Sequence, residues 1–323
     1  MTLSALNNFS QSKPAVALAE AGAPHRLRGY FYIAFACLCW GLAAALAQAV
    51  FKGKLLPEAN GAVIGPLVIS QTRTSITFLL LLLLLAMVRL PRREALFPSR
   101  RALLASLLIG AFGISASNFF YYFSIQKTTV ATGIMLQYLC PIWVVVYMIA
   151  RGLQRATLGR IFGVLLAVGG CALTVGIASG ALRFSGLGVA AGLASSFAFA
   201  FYNVAAQRLL VKSELWSVFL ANMLGSAIFW TIVHPPGKLV AAHFSGAQWE
   251  FLLIFAIFSV LLPYSFYFAG LKHLDPTGAI VTACLEPVFA IALAVFTVGE
   301  GITPLQWFGV ACVLAGTIVV QKS

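Results

Sequence analysis

Apolar runs separated by short polar interruptions dominate this chain. The runs fall at about Tyr30 to Val50, Pro66 to Val88, Ala102 to Gln126, Thr129 to Ala150 and Leu158 to Ala178. Five more follow at about Leu187 to Leu210, Leu215 to Val233, Trp249 to Leu271, Thr277 to Val298 and Pro304 to Val320. Each falls within the roughly 17 to 25 residues that a membrane-crossing helix requires. Pro66 and Pro304 stand at first-turn positions, where a missing N–H costs nothing. The pattern predicts an all-α membrane protein with ten transmembrane helices. Met1 to Gly29 has no continuous apolar stretch, and is expected to be a flexible cytoplasmic tail rather than a cleavable signal peptide.

Composition agrees with that picture. With 61% hydrophobic and 9% charged residues over 323 positions, the chain holds more apolar surface than one soluble core can hide. The formal net charge of +13 raises nucleic acid as a partner, but a nucleic-acid binder gathers its basic residues into a patch among polar or aromatic readers. Here they lie between apolar runs, so the expected surroundings are lipid. Of the 21 Lys and Arg residues, fifteen fall in one alternate set of connections, between Lys13 and Lys322. Five fall in the other set (Lys52, Lys54, Lys127, Arg183 and Lys238), and Arg73 lies inside a span. By the positive-inside rule this predicts that both termini lie in the cytoplasm.

All six cysteines, Cys37, Cys39, Cys140, Cys171, Cys284 and Cys312, lie within apolar runs and read as small packing residues. Cys37 and Cys39 point to different sides of one helix, and no histidine completes a metal set. No disulfide framework, metal or other cofactor is expected.

The chain also matches itself. A displacement of 146 positions, Pro141 onto Pro287, also brings together Phe120 and Phe266, Tyr121 and Tyr267, Thr157 and Thr303, Gly163 and Gly309, Val164 and Val310, and Gly170 and Gly316. At a displacement of 159, Gln48 falls on Gln207 and Trp40 on Phe199. The predicted domains are residues 30–178 and 187–321, five helices each. Five is odd, so the second copy enters the membrane inverted, an arrangement that in carriers places the substrate site near midplane between the halves.

The run Leu285 to Glu300 (LEPVFAIALAVFTVGE) is followed by Gln306, Gly309 and Gly316, and Trp40-Gly41 stands in the first helix. With the five-plus-five repeat, this resembles the EamA family of the drug/metabolite transporter superfamily from about residue 30 to 320. The resemblance implies a ten-helix inner-membrane carrier of small metabolites, often amino acids or their derivatives, commonly moving them outward. The repeat is not symmetric in detail, since Leu153 and Gln154 stand where the second copy has Gly299 and Glu300.

Glu286 is the leading candidate for function, because a carboxylate some nine residues, or roughly 14 Å, into an apolar helix must face protein or a watery cavity. It could exchange a proton or bind an ammonium group. Arg73, about 10 Å into the second span, could snorkel outward, pair with Glu286 or hold an anionic group. Trp40, Asn118, Tyr121, Tyr122, Gln137, Tyr138, Tyr202, Asn203, Tyr264 and Tyr267 are candidate cavity residues, offering apolar walls with hydrogen-bonding tips. An interfacial belt or helix packing is the alternative for these residues, and packing above all for any single tyrosine. Pro141, Pro287 and Pro263 are candidate gating kinks, or else static bends whose freed carbonyls are satisfied by neighbours. Gly163, Gly170, Gly309 and Gly316 read as close-packing faces.

The partners expected are a small-molecule substrate, protons as a coupling ion and the lipid bilayer, with the chain a monomer or homodimer. An intramembrane enzyme is the reading from another class, but no HExxH, GxSxG or paired-aspartate motif appears. An uptake carrier for a cationic or polar metabolite is the other. A channel is disfavoured by the lack of a charge ring or filter-like loop.

Overall fold

The computed structural model describes residues 23–51, 55, 64–176, 185–298 and 303–323. Among these residues the chain is all helix, with no strand. The first segment contains α1 (Ala23–Phe51), α2 (Pro66–Arg89), α3 (Arg100–Leu108), a π-helical turn (Ile109–Ser115) and α4 (Ala116–Lys127). It continues through α5 (Val130–Gln137), α6 (Cys140–Ala150) and α7 (Leu158–Thr174). The second segment contains α8 (Gly186–Leu210), α9 (Leu215–Val233), the short α10 (Pro236–Ala241) and α11 (Gly246–Ala256). A second π-helical turn (Ile257–Leu261) then leads into α12 (Leu262–Leu271), α13 (Pro276–Ala283), α14 (Glu286–Val298) and α15 (Pro304–Lys322).

Eight helical stretches among the described residues are long and apolar enough to cross a membrane, and Leu158–Thr174 and Pro276–Ala290 are shorter apolar ones. This is a multi-pass membrane protein. Its outer faces carry large apolar side chains, among them Leu79, Leu83 and Leu84 on α2 and Trp307 and Phe308 on α15. Such surface needs a covering of lipid. Helix α1 begins at Ala23, so the stretch from Ala23 to Gly29 belongs to the helix rather than to a tail, and the rest of the expected tail lies outside the described residues.

Helix starts recur at the displacement read from the sequence. Arg100, Ala116, Val130, Cys140 and Leu158 open α3 to α7, and Gly246, Leu262, Pro276, Glu286 and Pro304, each 146 residues on, open α11 to α15. The two π-helical turns both end 146 residues apart, at Ser115 and Leu261. Thr157 and Thr303 prove to be equivalent N-caps, accepting from the N–H groups of Arg160 at 3.2 Å and Gln306 at 3.3 Å. Each satisfies one of the donors a helix start leaves open.

The two segments interlock. Helix α1 packs against α12 and α14, while α8 packs against α4 and α5, and α9 against α2 and α3. Helices α7 and α15 lie along each other through the four glycines noted in the sequence. A Cβ added at Gly170 would stand 2.8 Å from the carbonyl oxygen of Gly309, and one at Gly316 2.6 Å from that of Gly163. Backbone contact this close needs hydrogen in place of a side chain.

Sequence reasoning placed Glu286 deep inside one kinked helix. Instead the helix breaks at Cys284 and Leu285, and Glu286 is the first residue of α14, with Pro287 in its first turn. The fourth apolar run breaks in the same way, at Tyr138 and Leu139, ahead of Pro141. A proline has no N–H to give the carbonyl four residues back. The carbonyl that Pro287 frees belongs to Ala283, and the Cys37 Sγ donates to it at 3.6 Å. Cys171 Sγ donates to the next carbonyl, that of Cys284, at 3.5 Å. The described cysteines are all free and buried, and two of them also satisfy the break.

Candidate functional site

A small cavity lies where α1, α2, α4, α5, α8, α12 and α14 converge. Its wall includes Trp40, Arg73, Asn118, Tyr121, Tyr122, Gln137, Tyr264 and Glu286, eight of the twelve residues singled out as substrate contacts. Ala43, Ala44, Ser117 and Phe199 complete the lining. Ser117 is adjacent to Asn118, and Phe199 is the repeat counterpart of Trp40, so both had a signal in the sequence. The two alanines had none.

Trp40 reaches the cavity because Gly41 lets α1 close on the broken helix. A Cβ at Gly41 would stand 3.0 Å from the Ala290 nitrogen and 3.2 Å from the Glu286 carbonyl oxygen. The indole then meets Tyr264 edge to face at 5.3 Å and Phe199 at 6.4 Å, forming an aromatic wall.

Glu286 is 7% exposed, and Tyr138 donates to its Oε2 at 2.6 Å. Tyr138 therefore stands behind the carboxylate as its holder and does not line the cavity. At the head of α14 the carboxylate also meets the positive end of the helix dipole, which favours a negative charge there. The break thus supplies a stabilising field that a continuous helix lacks.

Arg73 does not snorkel. It is 4% exposed, its Nη1 donates to the Tyr122 hydroxyl, and its Nη2 donates to Asn118 Oδ1 at 2.9 Å. Nor does it pair with Glu286, since the one ion pair among the described residues joins Arg89 and Glu214 at 2.8 Å. One cation and one anion therefore face the same cavity, each held by neutral groups. Arg73 Nε and the Tyr121 hydroxyl are buried without a protein partner. Such groups carry a desolvation cost until something polar meets them.

Tyr202, Asn203 and Tyr267 stand apart from the cavity. The Tyr267 hydroxyl donates to Asn203 Oδ1, Asn203 Nδ2 donates to the Phe199 carbonyl at 3.0 Å, and Tyr202 stacks on Phe199 at 5.9 Å. They form a second layer that fixes the Phe199 side of the wall. Pro141 and Pro287 follow the two breaks, and Pro263 follows the second π-helical turn. None of the three prolines lines the cavity.

At the end of the bundle where Arg89 and Arg155 lie, the two segments are tied by polar side chains. Arg89 donates to Glu214 and, at 2.7 Å, to the Ser217 hydroxyl. Gln154 donates to Asp275 Oδ2 and accepts from Thr277 Oγ1 at 2.7 Å. Gln154 was the residue at which the sequence repeat lost its symmetry. Its counterpart Glu300 lies outside the described residues.

The sequence pattern described as the EamA-like transporter family matches residues 27–176 and again residues 186–321. An uncharacterized transporter of Archaeoglobus fulgidus is 24% identical over 89% of this chain and 98% of its own length. The uncharacterized inner membrane transporter YicL of Salmonella typhimurium is 23% identical over 91% of this chain and 95% of its own. The threonine/homoserine exporter RhtA of Escherichia coli is 25% identical over 67% of this chain and 72% of its own. A solved crystal structure superposes with a TM-score of 0.69, covering 93% of this chain and 98% of the other at 18% identity, which speaks for the fold alone.

Proposed function

This chain belongs to the EamA-like transporter family, and from that premise we propose that it is a secondary carrier that exports amino acids or closely related zwitterions. It moves its substrate without changing it chemically. The observation that carries the reading is that Arg73 and Glu286 face one cavity and bond to neutral partners rather than to each other. A bare ion pair within a membrane would neutralise itself. Two opposite charges held apart suit a solute that carries both, its ammonium at Glu286 and its carboxylate at Arg73. Arg73 disfavours a purely cationic cargo, and the aromatic wall of Trp40, Phe199 and Tyr264 would cover the cargo's apolar part. The name of RhtA suggests threonine and homoserine as first trial substrates.

In this reading the two segments are five-helix halves inserted in opposite senses, giving ten spans, with the two shorter apolar helices counted among them. The recurrence of helix starts and π-helical turns at one displacement supports it. So does the fifteen-to-five division of basic residues, which would place both termini in the cytoplasm of an inner membrane. Rocking of one half against the other would expose the cavity to each side in turn. The ties at Arg89 and Gln154 would then open at the cytoplasmic face. Glu286 is the group placed to exchange a proton for the substrate's ammonium.

Counterflow of labelled threonine or homoserine in proteoliposomes tests this. Excess unlabelled amino acid should compete well, whereas the matching decarboxylated amine and deaminated acid should each compete poorly. Equal competition by analogues with one charge or none would remove the zwitterion reading.

A further inference from the structure

We propose that a second cavity, at the basic end of the bundle, binds a phosphate-bearing anion, supplied in the membrane by an anionic phospholipid. This groove of about 650 Å³ lies between the start of α1, the α6–α7 connection, the α12–α13 turn and the end of α15. It shares no lining residue with the central cavity. Arg26, Arg155, Arg160 and Lys322 border it, against the carboxylate of Asp275. The balance of these side chains is cationic by three charges.

Three of those cations keep their charge unpaired within the protein. Arg155, Arg160 and Lys322 form no ion pair among the described residues. Arg160 Nη1 donates to the backbone carbonyl of Arg155 at 3.2 Å, and its Nε is buried without a protein partner. Asp275 is engaged by Gln154 rather than by Arg155, Arg160 or Lys322. Guanidinium forks suit the several oxygens of a phosphate better than a lone carboxylate would use them.

The setting points to a lipid as the source. Leu153, Leu274 and Val320 line the same groove. Just outside it, Leu27 and Phe31 on α1 and Leu158 on α7 are turned outward, at 71%, 65% and 88% exposure. A phosphate seated among the arginines would leave its acyl chains along those residues. Basic pockets between membrane helices hold lipid headgroups in this manner.

The test uses the purified full chain in mild detergent, with native mass spectrometry counting retained lipid during titration. The probes are phosphatidylglycerol, phosphatidylcholine and glycerol 1-phosphate. Phosphatidylglycerol should be retained over phosphatidylcholine. The Arg155→Gln/Arg160→Gln double variant should weaken that retention on the order of twentyfold, taking about fivefold for each basic contact. Arg92→Gln/Arg93→Gln, which removes the same charge from the exposed α2–α3 connection, should leave retention near wild type. If the groove variant fails to fold, Lys322→Gln decides, with an expected loss of about fivefold. Equal losses in the groove and control variants, unchanged retention in the groove variants, or no preference over phosphatidylcholine would overturn the site. Glycerol 1-phosphate binding as tightly as the lipid would keep the phosphate site and overturn its lipid occupant.

Discussion

The breaks at Tyr138–Leu139 and Cys284–Leu285 share one backbone plan. Each follows an eight-residue helix, α5 or α13, spans two residues, and leads into a helix with proline in its first turn. Their side chains have diverged. Cys140, fully buried and away from the cavity, opens the helix after the first break as Glu286 opens the helix after the second. Tyr138 reaches across to hold the Glu286 carboxylate, whereas its counterpart Cys284 bonds within its own helix, to the Ile280 carbonyl at 3.8 Å. The backbone of the site is repeated, but its charge exists once.

That contrast can be broken most severely at the acid. Glu286→Gln keeps shape and removes charge, and efflux of labelled amino acid from proteoliposomes should fall roughly a hundredfold, the scale of a charged hydrogen bond of about 3 kcal/mol. Moving the acid to the other break, as Cys140→Glu with Glu286→Gln, should not restore transport, because position 140 does not reach the cavity. Restored efflux would show the two breaks to be functionally equivalent. Tyr138→Phe should have the next largest effect. It removes the donor to Oε2 and leaves the ring, so transport should fall about tenfold, or roughly 1.4 kcal/mol, with thermal stability little changed.

Two smaller effects sharpen the comparison at the level of stability. Cys37→Ala strips the weak donor from the Ala283 carbonyl and opens a small void, and should destabilise by about 1 kcal/mol in thermal unfolding. Combining it with Pro287→Ala, which returns an N–H to that carbonyl, should make the loss smaller than the two single changes predict. The smallest effect concerns the Arg89–Glu214 tie, which has no matching ion pair at Gln154. Burial works against the Glu214 carboxylate, but hydrogen bonds from Arg89 and from the Trp216 and Ser217 N–H groups outweigh it and hold its pKa below the ordinary value. Its folded pKa is lowered, so the tie stabilises fully above the unfolded value and fades as pH falls through the folded one. Glu214→Gln should therefore cost less than about 1 kcal/mol near neutral pH, since the side chain is 49% exposed. The gap from wild type should close below about pH 4. A difference that persists in acid would assign the effect to packing.

Much of this molecule was legible in the sequence for one reason: in apolar runs every polar group is expensive, so each one that stays is conspicuous. That is how Arg73, Asn118, Gln137 and Glu286 could be named from their surroundings alone. Two helix starts were equally readable, because Pro66 and Pro304 announce them through local chemistry. Periodicity could not distinguish a kinked helix from two helices end to end, since both present the same apolar run. It also gave Tyr202, Asn203 and Tyr267 the same standing as the cavity residues, because facing the cavity and facing the layer behind it look alike along a chain.

The sequence by itself therefore determined the lipid setting, the apolar runs and the polar cast, since these follow from the cost of moving single groups out of water. Only the tertiary structure decided the partners. That Tyr138 holds Glu286, that Arg73 turns to Tyr122 and Asn118 instead of the acid, and that thiols satisfy the carbonyl Pro287 frees depend on distances between helices far apart in sequence. Those distances are set by close packing of whole faces, such as α1 seated on α14 at Gly41, and no local rule carries them.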